Sequence, residues 1–141
     1  MRRPSLTYSD QALIEAARDV IVANYEYGRH HLGAAVLMTD GRVFTGVHLE
    51  ANVGRVAVCA EAIAIGNAIS AGSRGIDLIV AVSHPHLDDT PKEPWVVAPC
   101  GICRELISDY GINADVIIPG EDGLIKVPVI SLLPAKYTQR G

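Results

Sequence analysis

The sequence predicts an α/β fold in which a mixed sheet carries helices on both faces. Three observations predict it. Apolar residues at helical spacing alternate with short β-branched runs, an Asp-Gly pair separates two of those runs, and two further runs are apolar but for one aspartate at the second position of each, as strands covered on both faces are.

Taken in order, Thr7 with Asp10 marks a helix start. Leu13, Ala16, Ala17, Val20, Ile21 and Asn24 follow at helical spacing, so the first helix runs from about 8 to 26 and ends near Gly28. Gly33 to Thr39 and Arg42 to Leu49 are β-rich and should pair antiparallel through Asp40-Gly41, a dipeptide suited to a two-residue turn with positive φ at both central positions. Cys59 to Ala71, apolar on nearly every side, reads as a buried second helix that stops at Gly72. Ile76 to Ser83 is a strand. Cys100 to Tyr110 is a third helix ending at Gly111, and Ala114 to Ile118 is another strand, so strand, helix and strand imply a right-handed parallel crossover. Between them, His84 to Pro99 holds four prolines together with Asp88, Asp89, Lys92 and Glu93, and is expected as a surface loop without regular structure.

Composition narrows the function. A chain of 141 residues that is 49% hydrophobic fits one domain, 1–141. The formal charge is -4, and no Lys/Arg cluster exists beyond Arg2-Arg3, which argues against a nucleic-acid partner. Arg2-Arg3 is followed by Ser5, Thr7, Ser9, Asp10 and Gln11, so no secretion signal is expected. The apolar runs fall well short of the roughly 20 residues that a bilayer span needs, and no membrane partner is expected. A cytoplasmic location is expected. Three cysteines cannot all pair with one another, and without export thiols stay reduced, which leaves packing, catalysis or metal binding.

The chemistry gathers at the starts of the second and third helices. Cys100-Gly-Ile-Cys103 puts two sulfurs on one side of a first helical turn, the spacing by which one segment grips a metal; thiol redox enzymes use the same spacing. Cys59, two residues before Glu61, supplies a third sulfur. Three protein ligands leave a coordination position for water, as catalytic zinc sites do and structural ones do not. Glu61 can then take the proton from that water, deliver it to a ring nitrogen, and later protonate the departing amine. Its bland alternative is a solvated residue in a first helical turn.

These residues resemble the cytidine deaminase family, whose zinc signature is His or Cys, any residue, Glu, then Pro-Cys-x-x-Cys. The resemblance spans nearly the whole chain and includes Gly33-Ala-Ala-Val-Leu37, Asp40-Gly-Arg-Val-Phe-Thr-Gly46, Cys103-Arg-Glu-Leu106 and Leu132-Leu-Pro134. It implies a three-layer α/β/α sandwich with a mixed central sheet of about five strands. It also implies one Zn2+ per subunit on Cys59, Cys100 and Cys103, with Glu61 as proton shuttle. Ala60, His48, Glu50 and His30 would contact a small cytosine-type nucleoside, which leaves as the 4-oxo product plus ammonia in pyrimidine salvage. The small branch of the family is homotetrameric, and a neighbouring subunit contributes an aromatic that Tyr137 matches.

The departures bear on the substrate. His48-Leu-Glu50 stands where the family has Asn-x-Glu, and His30 stands where it has an aromatic that stacks on the base. Three thiolates on Zn2+ leave a local charge of -1, and the arginine that normally follows the glutamate is here Ala62. Arg104, or else Arg55, is the candidate for compensation. Absence of that arginine is similar to blasticidin S deaminases, which share the three-cysteine site. Trp95 either caps the substrate or pins its loop. Two other classes stand beside the deaminase: a structural zinc module closed by His48 or His86, and a redox pair of Cys100 and Cys103.

Overall fold

The computed structural model describes residues 6–86, 88 and 93–139. Arg2-Arg3 and part of the 84–99 segment, Asp89 and Lys92 included, lie outside the described residues. Helix α1, Tyr8–Asn24, opens on a reciprocal cap. The Thr7 hydroxyl accepts the Asp10 N–H at 3.1 Å while the Asp10 carboxylate accepts the Thr7 N–H at 2.8 Å, which satisfies two helix-end donors at once. The helix ends two residues earlier than expected, and Gly28, at φ 80°, closes the turn that follows.

Strands β1, Leu32–Met38, and β2, Val43–Val47, pair antiparallel with Leu37 opposite Val43. Their connection differs from the two-residue turn. The Met38 N–H donates to the Arg42 carbonyl, so three residues form the loop, and only Gly41 takes positive φ, at 90°. Asp40 is free to use its side chain instead, accepting from the Arg42 N–H and from the Ser73 hydroxyl, which ties the hairpin to the far end of the next helix.

That helix is α2, Ala60–Ser70, and it stops where Gly72 turns to φ 88° and donates to Ile69. It lies close on β2. A Cβ at Gly46 would sit 2.7 Å from the Ala64 nitrogen, so only glycine permits this approach. β3, Ile76–Ser83, has the bounds that the apolar run predicts and pairs antiparallel with β1. α3 is Gly101–Tyr110, and β5, Asp115–Gly120, returns parallel to β3, as a strand–helix–strand unit requires.

Two strands were not expected. Within the supposed irregular loop, β4, Trp95–Val97, pairs antiparallel with the second half of β3. Pro85, Pro91 and Pro94 precede it and Pro99 follows it, so none falls within it, and Trp-Val-Val suits a strand that fills the edge left free beyond the short β5 pairing. β6, Gly123–Pro128, forms a hairpin with β5. The sheet thus has six strands rather than about five, in the order β2-β1-β3-β5-β6 with β4 also on β3.

Alternation along the strands divides the interior into two cores. Ala35, Leu78, Val80, Val82 and Ile117 meet Leu13, Ile14, Ala17 and Ile21 of α1. On the other face, Ala34, Val36, Ile79, Ala81 and Val116 meet Ala64, Ile65 and Ala68 of α2 and Cys103 and Ile107 of α3. The arrangement is the three-layer sandwich, with α1 alone on one side.

Candidate metal centre and active site

Backbone pairing delivers the reactive residues. Leu49 and Val58 exchange N–H···O bonds of 2.9 and 3.0 Å just before Cys59, and Val97 pairs with Ala81 just before Pro99-Cys100. Cys59 and Cys100 then occupy the N-cap positions of α2 and α3, and neither side chain makes a capping bond. A Ser, Thr, Asp or Asn would cap better by roughly 1 kcal/mol, so each helix gives up local stability for a thiol at its electropositive end.

The three Sγ atoms lie within 4.8 Å of one another, and those of Cys59 and Cys100 are 3.6 Å apart. A tetrahedral zinc ion with Zn–S bonds of about 2.3 Å sets its sulfurs about 3.8 Å apart. The donor set therefore fits one zinc ion. Among the described residues, no other group of three His, Cys, Asp or Glu side chains comes together in this way. His48 and His86 do not join the sulfurs, so among the described residues the protein would offer a metal three ligands here.

Burial shapes the ionisation. It pushes the Cys103 thiol up, assisted by the negative charge of Glu61. Burial also raises Cys59, and the adjoining Cys100 adds to the effect. At Cys100 burial is outweighed by the N–H groups of Cys103 and Ile102 and by the Cys59 thiol, and the net direction is down. Three thiolates this close repel one another, and a divalent cation is what balances them. Glu61, in the first turn of α2, is only 4% exposed, and burial raises its carboxyl above the usual carboxylate range against weaker lowering by its own backbone and the Cys103 thiol.

A cavity of about 210 Å³ opens beside the cluster. Cys59, Ala60, Glu61 and Cys100 line it with His48, Leu32, Val58, Val97 and Ala98. Sulfur ligands, the buried carboxylate, Ala60 and His48 thus share one space, whose walls are otherwise apolar, as a heterocycle pocket requires. His30 lies behind this wall, its Nδ1 on the His48 carbonyl at 2.9 Å. Glu50 is half exposed, with Oε2 3.5 Å from His48 Nε2. The Arg104 Nε donates to the Pro99 carbonyl at 2.8 Å, whereas Glu105 and Asp109 both pair with Lys136 rather than with Arg104. Tyr137 is 80% exposed, and the Trp95 backbone is held opposite Ser83. Sequence reasoning missed Val97 and Ala98, which arrive on the unexpected β4, and Leu32, the first residue of β1. The Val-Val pair following Trp95 was the available signal for the first two.

The fold and site together define a zinc-dependent hydrolytic deaminase. Residues 7–118 match the family described as the cytidine and deoxycytidylate deaminase zinc-binding region. The chain belongs to that family. It is 45% identical over 139 residues to the blasticidin-S deaminase of Bacillus cereus, covering 99% of each chain. It is 35% identical over 114 residues to the cytidine deaminase of Halalkalibacterium halodurans, covering 79% of this chain and 80% of that protein. The crystal structure of cytidine deaminase from Burkholderia pseudomallei superposes with a TM-score of 0.73 at 29% identity, covering 94% of this chain and all of that one.

Proposed function

We propose that this chain hydrolyses the 4-amino group of a cytosine nucleoside such as cytidine or deoxycytidine, giving the 4-oxo product and ammonia. The observation that carries the proposal is the buried Glu61 sharing one cavity with the sulfur cluster. Zinc, when bound by Cys59, Cys100 and Cys103, supplies a Lewis acid that makes hydroxide available at neutral pH. Glu61, with its carboxyl raised by burial, accepts one proton from the attacking water and delivers it to the ring nitrogen. It then takes the second from the new C4 hydroxyl and delivers it to the amine, which leaves as ammonia when the C–N bond breaks and the C4 oxygen becomes the 4-oxo group. Ala60, at the start of α2, bounds the base, and the apolar wall of Leu32, Val58 and Val97 excludes bulk water. His48 and Glu50 hold the sugar at the rim, with His30 supporting His48 from behind.

Arg104 offsets the net negative charge of the zinc–thiolate set. Its guanidinium reaches back to the Pro99 carbonyl, across the electropositive end of α3 where a cation is unfavourable unless an anion faces it. An unaltered zinc affinity and pH–rate profile in Arg104→Gln would remove this role. We further read the chain as one domain, a cytoplasmic homotetramer in pyrimidine salvage, with Tyr137 reaching a neighbouring subunit. Exposed Val53, Val56, Ile102 and Tyr137 support buried contact between copies, which sedimentation would test.

A second substrate, blasticidin S, is favoured by the 45% identity over 99% of both chains and by Ala62 in place of the arginine after Glu61. The test is ammonia release from cytidine, deoxycytidine and blasticidin S with Glu61→Gln as control. Turnover that disappears in the variant while zinc stays bound supports the proposal. Full activity in Glu61→Gln refutes it.

A further inference from the structure

His48 follows β2, and its ring lines the cavity. Its Nδ1 accepts two main-chain N–H groups, from His31 at 2.8 Å and from Leu32 at 3.1 Å. A ring nitrogen that accepts carries no proton, so the single N–H of the neutral imidazole lies on Nε2. The other side of the ring agrees. Nε2 faces the Glu50 carboxylate at 3.5 Å, too long for a strong N–H···O bond, so the proton points toward an acceptor without being consumed by it.

The donors to Nδ1 are themselves fixed. The His31 Nε2 accepts the N–H of Gly28 at 2.7 Å, at the left-handed residue of the turn after α1, and Glu26 and His30 bridge across that turn. The imidazole of His31 therefore fastens the loop that aims its own N–H at His48. The two rings meet edge-on with centroids 5.3 Å apart.

We propose that His48 is a donor-only specificity residue, held in its Nε2–H form by the main chain of His31 and Leu32, and that the His31 imidazole is the positioning residue for it. The sugar of the substrate then presents an acceptor, a hydroxyl or carboxylate oxygen, at the His48 rim, and a substituent offering only donors there is rejected. This deepens the nucleoside assignment above and rests on it. An amide at position 48 would offer both an acceptor and a donor; the imidazole in this tautomer offers a donor alone.

The test combines a spectrum with kinetics on the zinc-loaded enzyme. Nitrogen-15 NMR of the histidine rings, with His48 assigned by its loss in His48→Asn, is expected to show Nδ1 unprotonated and Nε2 protonated. A proton on Nδ1 overturns the proposal. With cytidine, deoxycytidine and blasticidin S as substrates, His48→Phe is expected to raise KM about tenfold with kcat little changed, and His48→Asn, which keeps an amide donor, to recover most of that loss. His31→Phe keeps a ring but removes the Nε2 acceptor. It is expected to mix the His48 tautomers and raise KM several-fold. Turnover of at least one substrate with KM unmoved by His48→Phe overturns this inference alone. Ammonia from none of the three overturns the nucleoside assignment and this inference together.

Discussion

Asp10 and Glu61 are both carboxylates in the first turn of a helix, and both are 4% exposed, yet the protein treats them oppositely. At Asp10 burial is outweighed by the Thr7 N–H, by Lys126 at 3.1 Å and by the Thr7 hydroxyl, and the carboxyl is held below its ordinary value. At Glu61 burial prevails and the carboxyl is raised. The difference lies in depth as well as in partners, since the Glu61 carboxyl is set far deeper in the fold than that of Asp10. On the α1 face a buried charge is matched by donors and a cation and contributes to stability; on the α2 and α3 face it is left undermatched beside three sulfurs, and that keeps it able to take up a proton.

The largest test of this contrast is Glu61→Gln, expected to lower kcat by about a thousandfold in an ammonia-release assay while leaving the melting midpoint unchanged or slightly higher. Removing zinc with a chelator should come next. If free zinc stands a thousandfold above its Kd, its loss costs about 4 kcal/mol, or roughly 10 °C in a thermal melt, and the midpoint should return when zinc is restored. Asp10→Ala is expected to cost about 2 kcal/mol, from the lost cap and the partly buried Lys126 left without its partner, with kcat unaltered. Equal losses of activity in Asp10→Ala and Glu61→Gln would erase the distinction between the two faces.

The smallest and most discriminating test is pH. Because the folded pKa of Asp10 is depressed, its stabilisation is present above the unfolded value near 3.8 and is lost as pH falls through the lower folded value, so the stability gap between wild type and Asp10→Ala should close in acid. Glu61 in the zinc-free protein has the opposite sign. Its folded pKa is raised, so the favourable protonated form is fully present below about 4.5 and is lost as pH rises through the folded pKa. Zinc-free Glu61→Gln should therefore gain on zinc-free wild type toward neutral pH. Two melting series against pH, diverging in opposite directions, would sharpen the comparison.

The same contrast explains what could be read from the sequence. Thr7 with Asp10 announced its cap because capping is local, and Ile76 to Ser83 announced a strand because burial on both faces leaves an apolar run broken only by the exposed Asp77. Cys59, Glu61, Cys100 and Cys103 were legible because metal chemistry limits residue type and spacing. The remaining features depend on contacts distant in sequence. β4 is a strand because β3 has an open edge there, and nothing within Trp95–Val97 declares that edge. Lys126 meets Asp10 across 116 positions, and His48 is held by main-chain groups 16 and 17 residues away, which no side-chain pattern records. β6 was the avoidable miss, since Asp122-Gly123 is a hairpin signal and Gly123 does take positive φ, at 124°.

Cys59 and Cys100 stand 41 positions apart, each delivered by its own backbone clamp, and meet only once the strands between them are in register. Before that register forms, only the Cys100–Cys103 pair would be at hand, and two sulfurs would grip a zinc ion less firmly than three. Zinc bound per chain is therefore expected to track the folded fraction of a preparation.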